Sequence, residues 1–219
     1  MGQITENVTR LLAELPDHVT LVAAAKTRTP DEVAEAVRAG ITMIGENYVQ
    51  EGETVFPVLE GKAQLHFIGH LQTNKVKKAV EIFDLIETVD SLKLAKEISK
   101  RCGRIEKTMP VLIETNSGRE PQKFGVFPED AKNLIHEISK LPNIHVHGMM
   151  TMGPYTDDAD TVRPYFVETK RCFEALKTEN IQNVTMEILS MGMSGSYKVA
   201  VEEGATHVRI GTGIFGARY

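Results

Sequence analysis

The sequence predicts a single α/β domain: a (β/α)8 TIM-type barrel with parallel strands and an extra N-terminal helix. Short apolar runs rich in β-branched residues alternate with longer amphipathic segments, which is typical of repeated βα units around a parallel sheet. Eight such runs occur, and eight strands close this kind of barrel. No linker rich in proline, glycine or serine divides the chain. Residues 1–219 are therefore expected to form one domain.

Each apolar run has the length of a strand, and most end in small or polar residues. A doubly wound open sheet would show the same alternation and is the competing fold. The predicted strands cover residues 19–26, 43–47, 65–69, 85–89, 111–116, 144–152, 185–192 and 206–212.

The amphipathic segments carry helix start and stop signals, such as Pro30 in a first turn and Gly40 after a last turn. A further apolar-periodic segment, residues 4–15, precedes the first strand and predicts the extra helix at the bottom or side of the barrel. The other predicted helices cover residues 30–40, 91–103, 128–141 and 158–177.

Composition limits the classes of function. The net charge is −5 and the pI is near 5.8, which argues against general binding to nucleic acid or anionic membranes. No apolar run approaches the roughly 18 residues of a membrane span. The two cysteines, Cys102 and Cys172, have no disulfide or metal-binding spacing, so we expect a cytoplasmic protein.

Two glycine-rich loops follow the seventh and eighth predicted strands, where barrels of this type commonly bind phosphate. The first covers residues 190–196, with Ser190, Gly192 and Ser194, and the second covers residues 211–216, with Gly211 and Thr212. Backbone N–H groups in such loops approach an anion closely, and hydroxyl groups add hydrogen bonds. The alternative is that both are ordinary tight turns. Two such loops at these positions favour a phosphate site.

Lys26 ends the first predicted strand, on the same alternation face as Val22 and Ala24. That face is assigned to the barrel interior, where desolvation favours the neutral amine that attacks a carbonyl to form a Schiff base. The alternative is a lysine that leaves the strand end for water, which is the commoner case.

Arg209 is predicted to point inward from the eighth strand, where an arginine requires an acceptor or an aromatic partner. A pyridine nitrogen would satisfy it, as would Glu87 or Glu114 from other strands. The histidines His66, His70, His145 and His147 permit a metal hypothesis, but cations at the same mouth oppose a divalent ion, so no metal is expected. Their roles are left open.

Several sequence blocks resemble the YggS/PROSC-type pyridoxal phosphate (PLP) homeostasis proteins almost from end to end. That family has a fold similar to the N-terminal barrel of alanine racemase. The blocks are LVAAAKTRTP around Lys26, GENYVQE (45–51), HFIGHLQTNKVKK (66–78), EPQKFGV (120–126), GMMTMGP (148–154), LSMGMS (189–194) and VRIGTGIFGAR (208–218).

The resemblance implies that PLP is the cofactor and assigns roles to residues at the matching positions. Lys26 would carry the Schiff base, Asn47 would neighbour the ring, and Arg209 would face the pyridine nitrogen. Around the phosphate it places Ser194, Gly211 and Thr212, with Ser190 and Gly192 as weaker choices. Ser196 stands where many members have Asp, and we expect it to cap the following helix.

Arginine at the ring nitrogen would leave the pyridine unprotonated and make it a poorer electron sink. The sequence also ends at Tyr219, without the second domain from which alanine racemase draws an acid–base group. We therefore expect no catalytic residues and a monomeric protein that holds PLP and passes it to PLP-dependent apoenzymes. The alternatives are a single-domain racemase or decarboxylase using Tyr48 or His66, and a barrel enzyme acting on a phosphorylated metabolite.

Overall fold

The computed structural model, which describes residues 2–154 and 158–217, contains a closed barrel of eight parallel strands in chain order. This confirms the predicted TIM-type fold and excludes the open sheet. Each predicted strand is present, with bounds shifted by a few residues. The strands are β1 (Thr20–Ala24), β2 (Met43–Glu46), β3 (Gln64–Phe67), β4 (Leu85–Val89), β5 (Met109–Thr115), β6 (Ile144–Thr151), β7 (Val184–Ser190) and β8 (His207–Ile210).

Helices follow the strands and form the outer layer. The five predicted helices are present, although the last begins at Arg163 after a short 3-10 helix, Ala159–Val162. The helices are α1 (Gln3–Glu14), α2 (Pro30–Arg38), α3 (Val49–Leu59), α4 (Val76–Ile82), α5 (Leu92–Cys102), α6 (Pro128–Ile138), α7 (Arg163–Lys177), α8 (Tyr197–Glu202) and α9 (Thr212–Phe215). No helix in the described ranges is both long and apolar enough to span a bilayer.

Local capping explains where several helices begin. Thr29 and Glu32 form a reciprocal capping box at the start of α2, with bonds of 3.3 and 2.8 Å. Ser91 caps α5 through the Leu94 N–H at 3.3 Å. The expectation for Ser196 was wrong: its hydroxyl accepts the Met193 N–H at 3.2 Å, within the preceding turn, and does not cap α8.

The extra N-terminal helix lies at the side of the barrel. Helix α1 packs next to α2 and α9, and the Asn7 side chain donates to the Ile214 carbonyl at 2.9 Å. Val8 and Leu11 on its inner face are buried, as an amphipathic surface helix requires. The helix therefore braces the segment after β8.

Apolar side chains fill two layers. The larger core lies between the sheet and the helices, and a small group inside the barrel consists of Leu85, Leu112 and Met150. Paired residues of neighbouring strands share a face, so the pairing of Val22 with Arg209 places both inside. Buried polar side chains also lie in the interior, below the mouth formed by the strands' carboxyl ends; they include His66, Glu87, Ser190 and Arg209.

Candidate functional site

The carboxyl ends of β1 and β8 meet at one edge of the barrel mouth. Val22 pairs with Arg209 and Ala23 with Ile210, and a β-carbon added at Gly211 would lie 3.0 Å from the Ala24 carbonyl. Strand β8 therefore passes so close to β1 that glycine suits this position. The segments that follow, with Lys26 on one side and Thr212 on the other, leave the same edge.

The loops after β7 and β8 also come together. A β-carbon added at Gly213 would lie 4.0 Å from Ser194 Oγ, and Ser194, Gly195 and Thr212 are all exposed. The two glycine-rich loops predicted from the sequence are therefore neighbours. They present hydroxyl groups and accessible backbone at the mouth, which is the composition of an anion site.

Gly192 has a conformational role in the first of these loops. Its φ is +91°, and an added β-carbon would lie 2.5 Å from Ala200 Cβ in α8. Only glycine adopts this backbone without strain or collision. Gly192 is buried, so it shapes the loop that carries Ser194.

Lys26 lies in a turn two residues beyond the end of β1. The sequence predicted a strand that extends to Lys26, but β1 ends at Ala24. Strand alternation therefore does not determine the direction of the Lys26 side chain. The residue is half-buried, and its ammonium lies 5.3 Å from the centre of the Tyr48 ring. The next residue, Thr27, has φ of +68°, and its N–H donates to Glu51 Oε1 at 3.2 Å. A β-branched residue in this conformation is strained by about 1–3 kcal/mol.

Arg209 lies inside the barrel and is only 3% exposed. Its Nη1 donates to Ser190 Oγ at 2.5 Å, and its Nη2 donates to the Thr151 carbonyl at 2.8 Å. Glu87 Oε2 accepts the Ser190 hydroxyl at 2.6 Å and lies 3.8 Å from Nη1. Of the two acidic partners considered from the sequence, Glu87 is the one within ion-pair distance. The Ser190 hydroxyl is fully engaged here.

The carboxylate of Glu87 is ionised despite complete burial. Burial alone would raise its pKa, but the hydrogen bond and charge of His66, the charge of Arg209 and the Ser190 bond lower the pKa to about 2. His66 Nδ1 lies 2.9 Å from Glu87 Oε1 and must carry the proton that the carboxylate accepts. His66 is 1% exposed and belongs to the same buried network as Arg209.

A cavity of about 260 Å³ opens at the mouth beside β2 to β6. Asn47 lines it, together with Glu114, Asn116, Lys123 and Phe124; Lys26, Ser194 and Thr212 do not. Burial, with a smaller effect of Asp90, raises the pKa of Glu114 to about 7. Because β2 pairs with β1, the cavity lies next to the part of the mouth from which Lys26 leaves, and Asn47, just after β2, is one of its lining residues.

The remaining histidines are scattered. His145 and His147 lie near the start of β6, with ring centres 4.7 Å apart, toward the end of the barrel opposite the mouth. His70 stacks on Phe124 at the mouth, with ring centres 3.5 Å apart. Across residues 2–154 and 158–217, no three potential metal-ligating side chains cluster together.

Two functional features were missed at the sequence level. The strained Thr27 turn has no local signature, because threonine does not mark left-handed turns. Glu46, at the end of β2, is completely buried and interacts with Glu51. The GENYVQE block contains both glutamates, but its spacing alone does not show that they meet between β2 and α3.

Comparison with known proteins agrees with this geometry. The model of the alanine racemase N-terminal domain family matches residues 1–219. A pyridoxal phosphate homeostasis protein of Aquifex aeolicus is 44% identical over 90% of this chain and 86% of its own length. The corresponding Escherichia coli protein is 34% identical over 93% of this chain and 87% of its own length.

The chain belongs to the pyridoxal phosphate homeostasis protein family. The family resemblance stated from the sequence is thereby confirmed. PipY of Synechococcus elongatus, solved with PLP bound, matches with a TM-score of 0.88 and 31% identity over 97% of this chain and all of that chain. Alanine racemase of Clostridium difficile matches with a TM-score of 0.78 at 15% identity, over 99% of this chain and 57% of that chain. The latter shows that this chain shares the barrel fold of alanine racemase.

Proposed function

We propose that this protein binds PLP covalently through Lys26 and takes part in intracellular PLP homeostasis, without catalytic turnover. The observation that carries the proposal is that the chain on either side of Lys26 lies beside the segment after β8: Gly211 is close to the Ala24 carbonyl, and Arg28 donates to the Gly216 carbonyl at 2.7 Å. An amine and an anion site side by side match the aldehyde and the phosphate of this cofactor. The names of the relatives and the PLP-bound PipY structure support the same cofactor.

The residues present fit the group. Ser194, Gly211 and Thr212 would hold the phosphate, because Ser194 and Thr212 are exposed hydroxyl residues of the two adjoining loops and Gly211 is a half-buried glycine beside Thr212. Asn47 would approach from the β2 side, where it lines the neighbouring cavity. Ser190 and Gly192 would act indirectly, since Ser190 supports Arg209 and Gly192 shapes the Ser194 loop.

Arg209 would determine how reactive the bound cofactor is. When bound, PLP supplies an aldehyde for covalent capture by an amine and a ring that accepts electrons. Arg209 uses two of its five N–H donors on protein groups of the described chain and has others left for a ring nitrogen. Because arginine stays protonated, a nitrogen facing it remains unprotonated and the ring is a weaker electron sink. These residues therefore favour holding over turnover.

Borohydride reduction of the purified protein with PLP, followed by peptide mass mapping, tests the proposal. We expect a phosphopyridoxyl group on the Lys26 peptide in wild type and in the control Lys93→Ala, whose lysine is exposed on α5. Lys26→Ala should lose the label but still bind PLP more weakly through the two glycine-rich loops after β7 and β8. Absence of the label from wild-type Lys26 would contradict the proposal and favour a barrel enzyme for a phosphorylated metabolite.

A second candidate is a PLP-dependent racemase or decarboxylase. The Tyr48 ring lies against the Lys26 ammonium at 5.3 Å and is 52% exposed, so a phenol is present beside the amine. A panel of L- and D-amino acids incubated with the PLP-loaded protein distinguishes the two functions. Multiple turnovers that disappear in Tyr48→Phe would establish the enzyme, whereas none are expected of a carrier.

We further infer that the protein is a cytoplasmic monomer that delivers PLP to apoenzymes. The reactive aldehyde would be confined on Lys26 until a recipient lysine replaces that amine. Mixing the loaded protein with an apo-aminotransferase tests the delivery: activity should return faster than it does with free PLP of the same total concentration in the presence of a PLP scavenger. Recovery no faster than with free PLP would contradict delivery.

A further inference from the structure

Behind the Lys26 turn, two carboxyl groups meet in a buried position. Glu46 is 0% exposed, and no described residue donates a well-formed hydrogen bond to either of its oxygens or to Oε2 of Glu51. Three buried acceptor atoms without a donor are rare in folded proteins. A proton shared between the two carboxyl groups gives two of these three oxygens a partner, because it makes Glu46 a donor to Glu51.

Among residues 2–154 and 158–217, no lysine, arginine or histidine forms an ion pair with Glu46 or Glu51. The neighbouring charged groups are engaged elsewhere: Lys26 lies over the Tyr48 ring at 5.3 Å, and Arg28 bonds Glu32 at 3.3 Å and the Gly216 carbonyl at 2.7 Å. Burial, and then the charge of Glu51, raise the pKa of Glu46 to about 8, which the Asn47 backbone N–H opposes only in part. Glu46 is therefore protonated at neutral pH and can donate that proton in a hydrogen bond to the Glu51 side chain.

The other oxygen of Glu51 accepts the Thr27 N–H at 3.2 Å. Thr27 holds the left-handed conformation with φ of +68°, and Lys26 immediately precedes it. A β-branched residue keeps this backbone only when its surroundings impose it. The Glu51 carboxylate is the side-chain group that imposes it here, from helix α3.

We propose that Glu51 is a positioning residue for Lys26: sharing a proton with Glu46, its carboxylate holds the Thr27 N–H and fixes the turn that presents the lysine. The role deepens the proposed function, since it concerns how the amine is set before it meets PLP. Glu51 itself does not touch the cofactor. If Glu46 lost its proton, the negative charges of the Glu46 and Glu51 carboxylates would repel each other, and Glu51 would hold the Thr27 turn less firmly.

The first test needs no cofactor. In the protein without PLP, we expect Glu51→Ala to increase the hydrogen-exchange rate of the Thr27 amide about tenfold, whereas Glu53→Ala should leave it unchanged. Glu53 is the matched control because it lies on the same helix, is exposed and pairs with Lys78 at 3.3 Å. Glu51→Gln keeps a carbonyl oxygen for Thr27 and should exchange like wild type.

The second test uses PLP and the fraction of Lys26 labelled on borohydride reduction. Glu51→Ala should weaken labelling at limiting PLP about tenfold, and adding Thr27→Gly should restore most of it, because glycine adopts the turn without help. If wild-type Lys26 takes no label, the proposed function fails, while amide exchange still decides the role of Glu51. The inference would be overturned if Glu51→Ala kept the wild-type exchange rate of the Thr27 amide and the wild-type labelling of Lys26. It would also be overturned if adding Thr27→Gly did not restore the labelling.

The third test uses folded wild-type protein and so remains decisive even if Glu51→Ala does not fold. The protection factor of the Thr27 amide should fall above pH 8, where Glu46 ionises. Glu46→Gln should remove this pH dependence, because its amide donates to Glu51 at every pH. A protection factor that is independent of pH in wild type would contradict the shared proton.

Discussion

The guanidinium of Arg209 and the carboxylate of Glu87 lie 3.8 Å apart inside the barrel, joined through the Ser190 hydroxyl. Each group neutralises the charge of the other, and either charge alone would be strongly destabilising in the buried interior. Glu87 is held by three groups from β3, β7 and β8, so the network ties distant strands together. It also gives Arg209 a fixed position below the mouth.

Removing one partner of this pair should be costly. Glu87→Ala leaves Arg209 as an uncompensated buried charge, and we expect the free energy of unfolding to fall by about 3–5 kcal/mol. Urea denaturation measures it. Glu53→Ala, which breaks an exposed pair with Lys78, serves as the control and should change the stability by less than about 1 kcal/mol. Equal effects of the two substitutions would show that the network contributes little.

Acid should destabilise the protein in two successive ranges of pH. Burial lowers the pKa of His207 to about 4, so the unfolded chain binds the proton first, and stability falls as pH drops from about 6.5 to 4. The pKa of Glu87 is about 2 when folded, so its contribution is complete above about 4.3 and is lost as pH falls toward 2.

The histidine range can be isolated by substitution. His207→Gln should reduce the pH dependence of the unfolding free energy between pH 6.5 and 4 by up to about 1.4 kcal/mol per pH unit, the value for one proton. Denaturation at a series of pH values measures it. The range below pH 4 should remain. An unchanged slope above pH 4 would show that another group takes up the proton.

Two glycines of one loop should respond differently to substitution. Gly192→Ala places a β-carbon 2.5 Å from Ala200 Cβ at a positive φ, so we expect a stability loss of about 1–3 kcal/mol and weaker PLP binding. Gly195→Ala meets open space and should change stability little. Thermal unfolding and equilibrium dialysis with PLP compare the variants. A tolerated Gly192→Ala would mean that the loop rearranges freely.

The two glycine-rich loops after β7 and β8 should contact only the phosphate group of PLP and not the rest of the cofactor. Ser194→Ala and Thr212→Val each remove a hydroxyl from the proposed site, and each should weaken PLP binding about tenfold or more, as expected for hydrogen bonds to a charged group. Pyridoxal, which lacks the phosphate, should bind both variants and wild type equally. Equal losses for the two ligands would show that these hydroxyl groups act on the loop conformation instead.

Strand and helix periodicity predicted the barrel because apolar spacing reports directly on burial. Helix α3 was missed because it contains Gly52 and Pro57, which lower helix propensity. Tertiary contact outweighs that propensity: a β-carbon at Gly52 would lie 2.5 Å from the Phe83 ring, so close packing of α3 requires glycine. Local sequence does not contain that information.

The site was predictable in part. Ser194, Gly211 and Thr212 stand out because glycine and hydroxyl residues cluster after the last two strands, and the structure brings the two loops together. Lys26 was identified, but its setting was not, because the strand ends at Ala24 and a left-handed threonine follows. From the sequence, Glu46 is an ordinary acidic residue at a strand end; only the packing of α3 on β2 shows that it interacts with the half-buried Glu51.

The exposure of Ser194, Gly195 and Thr212 has a kinetic consequence. PLP bound as proposed could leave this open rim while the eight-stranded barrel stays closed, so its residence time should depend on the bond at Lys26 and on the phosphate contacts, and not on opening of the whole fold. Substitutions that make the protein more rigid elsewhere, for instance in α5 or α6, should therefore leave the rate of PLP release unchanged.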